Sequence, residues 1–152
     1  MTHSSPVVQV LRSLPRGLDA LVAASETEGY RSTARLRKDW HIEKNRFDRP
    51  GEQLLSVTVD GELAGIGGID IDPWSDTGRV GRLRRLYVST AYRRLGVGTV
   101  LVKRLLEDAP AEFDLVRLLV ADDRGRRFYE HIGFAPVDDP HASHVVALTS
   151  RA

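Results

Sequence analysis

Leu86-Tyr87-Val88-Ser89-Thr90-Ala91-Tyr92-Arg93-Arg94-Leu95-Gly96-Val97-Gly98-Thr99 reads as the end of a strand, a basic loop and the start of a helix. Beyond it, Val97, Val100, Leu101, Leu105 and Leu106 form one apolar stripe, so the helix runs from Gly96 to Asp108 until Pro110 stops it. Glycines at 96 and 98 let the backbone turn tightly and approach a ligand with no Cβ in the way. The first amides of such a helix lack intrahelical acceptors and sit at the positive end of its dipole, which suits a phosphate or pyrophosphate. Close packing alone also accounts for a glycine-rich helix entrance.

Charge points the same way. Between Arg79 and Arg104 stand Arg79, Arg82, Arg84, Arg85, Arg93, Arg94, Lys103 and Arg104 with no acidic residue, while the whole chain carries only +1. One concentrated basic segment in a balanced chain fits a compact anion, although a solvated arginine-rich surface has the same composition. Other phosphate motifs fail on spacing. No Gly-x4-Gly-Lys-Ser/Thr exists, and the dinucleotide fingerprint lacks its third glycine because position 101 is Leu101.

Working outward, Leu54 to Val59 and Glu62 to Ile71 form a hairpin across Asp60-Gly61. Arg79 to Val88 is a further strand whose phase slips: Val80, Leu86 and Val88 alternate together, Leu83 and Tyr87 do not. That slip predicts a β-bulge near Arg84 to Leu86. Upstream are a short strand, Val7 to Leu11, a helix from about Pro15 to Ser25, and a second helix from about Ser32 to Phe47. Downstream, Leu115 to Val120 is a near-continuous apolar strand, Arg124 to Ile132 a helix stopped by Gly133, and His144 to Leu148 a closing strand. The order gives a mixed α/β sheet in one domain, residues 1–152, of ordinary size for 41% apolar content. No apolar run reaches the roughly 20 residues of a membrane span, no signal peptide is evident in Met1 to Leu11, and there is no cysteine. A cytoplasmic protein without membrane or metal partner is the expectation.

Two stretches resemble a known family. Arg93-Arg94-Leu95-Gly96-Val97-Gly98 is similar to the Arg/Gln-x-x-Gly-x-Gly/Ala motif of the GCN5-related N-acetyltransferase (GNAT) superfamily, and the Leu-Tyr-Val strand end before it is also typical. Arg126-Arg127-Phe128-Tyr129-Glu130-His131-Ile132-Gly133-Phe134 resembles that family's Phe-Tyr-Glu-x-x-Gly-Phe helix and strand. The resemblance implies an α/β (α+β) acyl-CoA N-acyltransferase fold, a mixed, mostly antiparallel sheet flanked by helices. It implies acetyl-CoA as donor and a primary amine as acceptor. Nucleic acid is not an expected partner, and a homodimer is left open.

The same resemblance distributes roles. Arg93, Arg94, Leu95, Gly96, Val97, Gly98 and Thr99 would cradle the pyrophosphate, chiefly through backbone amides. Tyr87 and Val88 would flank the pantetheine arm, with Asp122 and Arg126 completing the cofactor set. The Leu86 amide at the bulge would hold the thioester oxygen, and Tyr129 would both contact the cofactor and protonate the departing thiolate. Packing alone is the other reading of Tyr129. The sequence also departs from the family. Arg82 stands where many relatives carry a Glu base, Asp122 where Asn is common, and Gly125 is the small residue before the tyrosine. Asp70 and Asp72 are therefore the first base candidates, then His41 and Glu43, each of them also an ordinary surface or turn residue. Tyr30, Trp40 and Trp74 are candidates for an acceptor pocket. His131, His141 and His144 read as structural. Two rivals remain: a non-catalytic coenzyme A-binding module, and an RNA- or protein-binding domain using the basic strand from Arg79 to Arg94.

Overall fold

The computed structural model of the protein describes residues 5–148. Seven strands form one sheet: β1 (Val7–Val10), β2 (Gln53–Val59), β3 (Glu62–Ile71), β4 (Val80–Val88), β5 (Leu115–Leu118), β6 (Ala135–Asp139) and β7 (Ala142–Ala147), in the order β1-β2-β3-β4-β5-β7-β6. All neighbours are antiparallel except β4 and β5. Helices α1 (Leu18–Thr27) and α2 (Ser32–His41) share one face of the sheet with Leu54, Ile66 and Tyr87. The other face holds α3 (Val97–Asp108) and α4 (Asp123–Ile132), whose Val97, Leu101, Leu105 and Tyr129 join Leu55, Ile69 and Leu83 in the larger core. The mixed α/β reading of the sequence is the architecture observed.

Glycines let the layers close on β3. A Cβ at Gly65 would lie 3.0 Å from Val97 of α3, and one at Gly68 would lie 2.5 Å from the Phe47 ring on the opposite face. That ring position corrects the expected second helix. It ends at His41, because Glu43 (φ 60°) and Phe47 (φ 53°) adopt left-handed backbone that no helix accommodates. The Arg46 Nε donates to the Trp40 carbonyl and the Phe47 amide to Asn45 Oδ1, so Phe47 reaches the core from a loop. Leu36 and Trp40 share α2, whereas the helical spacing of Phe47 from them reflects shared burial alone.

The strand ends also moved. β5 stops at Leu118 where the sequence suggested Val120, because the Val120 amide donates to Ser143 Oγ and leaves the ladder. β7 starts at Ala142, and β6 carries Pro136, tolerated because β6 is the sheet edge. The basic loop from Thr90 to Leu95 is a 3-10 turn.

Candidate active site

The parallel pairing of β4 and β5 covers only Val80–Leu115, Gly81–Val116 and Arg82–Arg117. Past Arg82 the strands splay, and β4 continues to Val88 with no partner on that side. The bulge lies in this free stretch as the phase slip implied: Arg84 faces Gly68 and Tyr87 faces Ile66, so Arg85 and Leu86 together oppose Gly67. Arg85 takes φ 61°, a left-handed strain of about 1 kcal/mol for a residue with a Cβ. Above the bulge the Ser89 amide donates to the Ala64 carbonyl, so by alternation the main-chain groups of Val88 point away from β3 and into the gap.

The gap opens into a cavity of about 400 Å³. Its sheet wall is Leu86, Tyr87 and Val88; Gly96, Gly98 and Thr99 bring the mouth of α3; Asp122, Gly125 and Tyr129 bring the start and inner face of α4. Gly96 caps α3 with φ 74° and offers no side chain to the first-turn amides, which stay open to a ligand. At Gly98 a Cβ would sit 3.1 Å from the Phe128 ring and 3.6 Å from Val88, so glycine is what lets α3, α4 and β4 converge.

Tyr129 is 9% exposed, wedged edge-on between Phe128 (5.0 Å) and Phe134 (5.6 Å). Burial, and next the Asp122 carboxylate, push its phenol well above the ordinary tyrosine range, so it is a held proton and not a base. Arg93, which the resemblance assigned to phosphate, is engaged inside the protein. Its Nε donates to the Val88 carbonyl (3.1 Å), its terminal nitrogens grip Glu28, and its guanidinium lies 5.5 Å over the Tyr87 ring. Arg93, then Tyr87, lower Glu28 to about 2, while burial, then Glu28, raise Tyr87 to about 12.

The remaining assigned residues lie off the lining. Arg94 and Leu95 are exposed on the turn, Val97 is buried in the core, and Arg126 reaches Asp123 at 3.8 Å. The base candidates lie outside the cavity too. Asp70 is buried, accepting from Arg84 Nε (2.9 Å) and Asn45 Nδ2 (3.1 Å), and burial raises it to about 6. Asp72 is buried between Arg117 Nε (2.9 Å) and Arg82 Nη1 (3.5 Å). His41 is exposed, and Glu43 pairs with Arg46 at 3.5 Å. Of the aromatic candidates, Tyr30 lines the cavity; Trp40 is core, and Trp74 stacks on His141 beneath Arg82. Sequence reasoning missed Ser32, Val120, Arg124 and Phe128, whose arrival depends on how α2 and α4 dock. Among the described residues no cluster of His, Asp or Glu is arranged to hold a metal, and no helix is long and apolar enough to cross a membrane.

The sequence profile of the Acetyltransferase (GNAT) family matches residues 18–134, most of the chain and all of the cavity lining. The chain belongs to this GNAT acetyltransferase family. Solved structures share its fold. A protein from Exiguobacterium sp. 255-15 named as an acetyltransferase superposes with a TM-score of 0.84 at 22% identity, covering 95% of this chain and 94% of that one. Ard1 from Thermoplasma volcanium gives 0.71 at 21% identity over 96% and 99%, and an N-acetyltransferase from Staphylococcus aureus Mu50 gives 0.72 at 15% over 96% and 100%.

Proposed function

We propose that the chain acts as one N-acetyltransferase domain that moves an acetyl group from acetyl-CoA to a primary amine by direct attack in a ternary complex. The observation that carries this is the unpaired length of β4, bulge included, opening into the same cavity as the glycine-capped mouth of α3. An extended amide-bearing arm can lie along the first while a pyrophosphate meets the second. The residues present fit such a donor, since Gly96 leaves the first-turn amides uncovered and Val88 turns its main chain inward.

When bound, acetyl-CoA supplies an activated acyl group on a good leaving thiol. The protein's residues do the rest. Leu86, at the bulge and among the lining residues, donates its amide to the carbonyl oxygen as negative charge develops there. Tyr129 keeps its proton until the sulfur departs and then delivers it. Its place in the cavity lining and its raised phenol favour this role over a purely structural one. No cysteine is available to form a thioester enzyme, so direct attack is preferred to a covalent relay.

The fold disfavours the basic-strand reading. Arg79, Arg82, Arg84, Arg85 and Arg93 meet Asp114, Asp72, Asp70, Asp39 and Glu28, so most of the positive run is neutralised within the protein and presents little charge to RNA. A panel of primary amines with acetyl-CoA, read by release of free thiol, tests the proposal. Thiol release dependent on amine supports it. Binding of acetyl-CoA with no transfer to any amine would leave a coenzyme A-binding module in its place.

A further inference from the structure

A primary amine of pKa about 10.4 is almost wholly protonated at neutral pH and must shed a proton before it attacks. Where the family resemblance implies a Glu stands Arg82, its side chain 7% exposed, beside Asp72 and over the Trp74 ring. Asp70 and Asp72 are tied to arginines outside the cavity. Among the residues that line the cavity there is one carboxylate, Asp122.

Its two oxygens have separate tasks. Oδ1 accepts from the Gly125 amide at 2.6 Å and caps α4. Oδ2 accepts from the Tyr30 hydroxyl at 3.2 Å, and Arg124 Nη2 donates to that same hydroxyl at 3.2 Å. A guanidinium only donates, so the Tyr30 oxygen is used as acceptor toward Arg124 and its single proton is aimed at Asp122. Tyr30 comes from the α1–α2 connection, Asp122 and Arg124 from the start of α4, and the three together bridge the rim of the cavity. Asp122 and Tyr129 both line the cavity, and the Asp122 charge helps raise the Tyr129 phenol, after burial.

We propose that Asp122 is the general base of the transfer, with Tyr30 as its positioning residue; the proposal rests on reading the cavity as an acetyl-transfer site. The acceptor ammonium gives one proton to Asp122 Oδ2 and the freed amine forms the new C–N bond. The C–S bond breaks, the sulfur takes the Tyr129 proton, and the second proton of the nitrogen restores Tyr129. Asp122 returns its proton to solvent, so the balance is ammonium plus thioester giving amide, thiol and one proton. Among the described residues, Tyr30 from the α1–α2 connection bonds Asp122 directly, Arg124 of α4 bonds that same Tyr30 hydroxyl, and the Tyr129 phenol of α4 feels the Asp122 charge. Asp123 is turned to Arg126, and Tyr87, 6.1 Å from the Tyr30 ring, is bound to Glu28 and through it to Arg93.

Asp122→Asn tests this cleanly, since asparagine caps a helix as well as aspartate and has the same size. Calorimetry with coenzyme A should give an affinity within about twofold of wild type: asparagine, common at this position in the family, keeps a side-chain carbonyl for any contact with the cofactor, and phosphate recognition rests on backbone amides. The panel amine that wild type acetylates fastest should bind the coenzyme A complex about fivefold more weakly, having lost the partner of its ammonium. At pH 7, kcat/KM should fall about a hundredfold, and the rate should climb tenfold per pH unit up to the pKa of the amine, where wild type levels off earlier. Asp122→Ser, a cap without a carboxylate, should behave alike, and Tyr30→Phe should lose about fivefold in kcat/KM and keep the wild-type plateau. An Asp122→Asn protein with wild-type amine affinity and pH profile overturns the assignment of the base. A wild-type protein that binds acetyl-CoA and acetylates no amine overturns the parent reading instead.

Discussion

The mouth of α3 and the lower half of the β3–β4 ladder are both rich in arginine, yet the fold employs them in opposite ways. Along β4 the side chains of Arg82 and Arg84 turn toward Asp72 and Asp70, which Arg117 and Asn45 also contact. At the mouth of α3 the groups left open are main-chain ones: a strand edge not paired with β5, a bulge and a helix start capped by Gly96. Even Arg93, the basic residue nearest that mouth to line the cavity, serves the scaffold by binding Glu28 and the Val88 carbonyl. A run of positive charge in sequence is therefore a poor guide to free positive charge on the fold, since most of these arginines are ion-paired within the protein.

The contrast can be broken in four places, from the largest effect down. Gly98→Val drives a branched side chain against Phe128 and Val88 in the backbone-built region, and it should weaken acetyl-CoA binding about a hundredfold by calorimetry. In the ion-paired region Asp70→Asn should change pH dependence and not binding. Burial raises Asp70 to about 6, so the folded protein holds that proton more tightly than the unfolded chain. Stability should then be full below about pH 4 and decline by about 2 kcal/mol as pH rises to about 6. Denaturant melts of the Asn variant should lack this decline.

Tyr129→Phe should lower kcat at least about tenfold while acetyl-CoA affinity barely changes, and stopped-flow thiol detection separates the two. An unchanged kcat removes Tyr129 from the chemistry. Glu28→Gln is the mildest. Arg93 and Tyr87 depress Glu28 to about 2, so its contribution is present above about pH 4.5 and is lost as pH falls toward 2. Solvent reaches this cluster, and the loss at neutral pH should stay under about 1 kcal/mol in thermal melts.

Much of this was legible in the sequence because it is carried by local rules. The Asp60-Gly61 hairpin, the phase slip at Arg84 to Leu86 and the apolar stripe after Gly96 each report backbone geometry within a few residues. What could not be read depends on docking. Phe47 lies at helical spacing from Trp40 and Leu36 but enters the core from a left-handed loop, since Gly68 leaves room for its ring. Tyr30 meets Asp122 across ninety-two positions of sequence, and no local pattern encodes that meeting. The partners of Arg82 and Arg84 are likewise chosen by strand register, so Asp70 and Asp72 looked available as bases and proved to be paired.

In the proposed binding mode main-chain nitrogens grip the donor. A proton–nitrogen correlation titration of the labelled protein with coenzyme A tests this most directly. The amides of Val88, Gly96, Gly98 and Thr99 should shift furthest, with those of Arg79 to Arg84 nearly still. Shifts concentrated on the Arg79 to Arg84 stretch, or none at the mouth of α3, would contradict it.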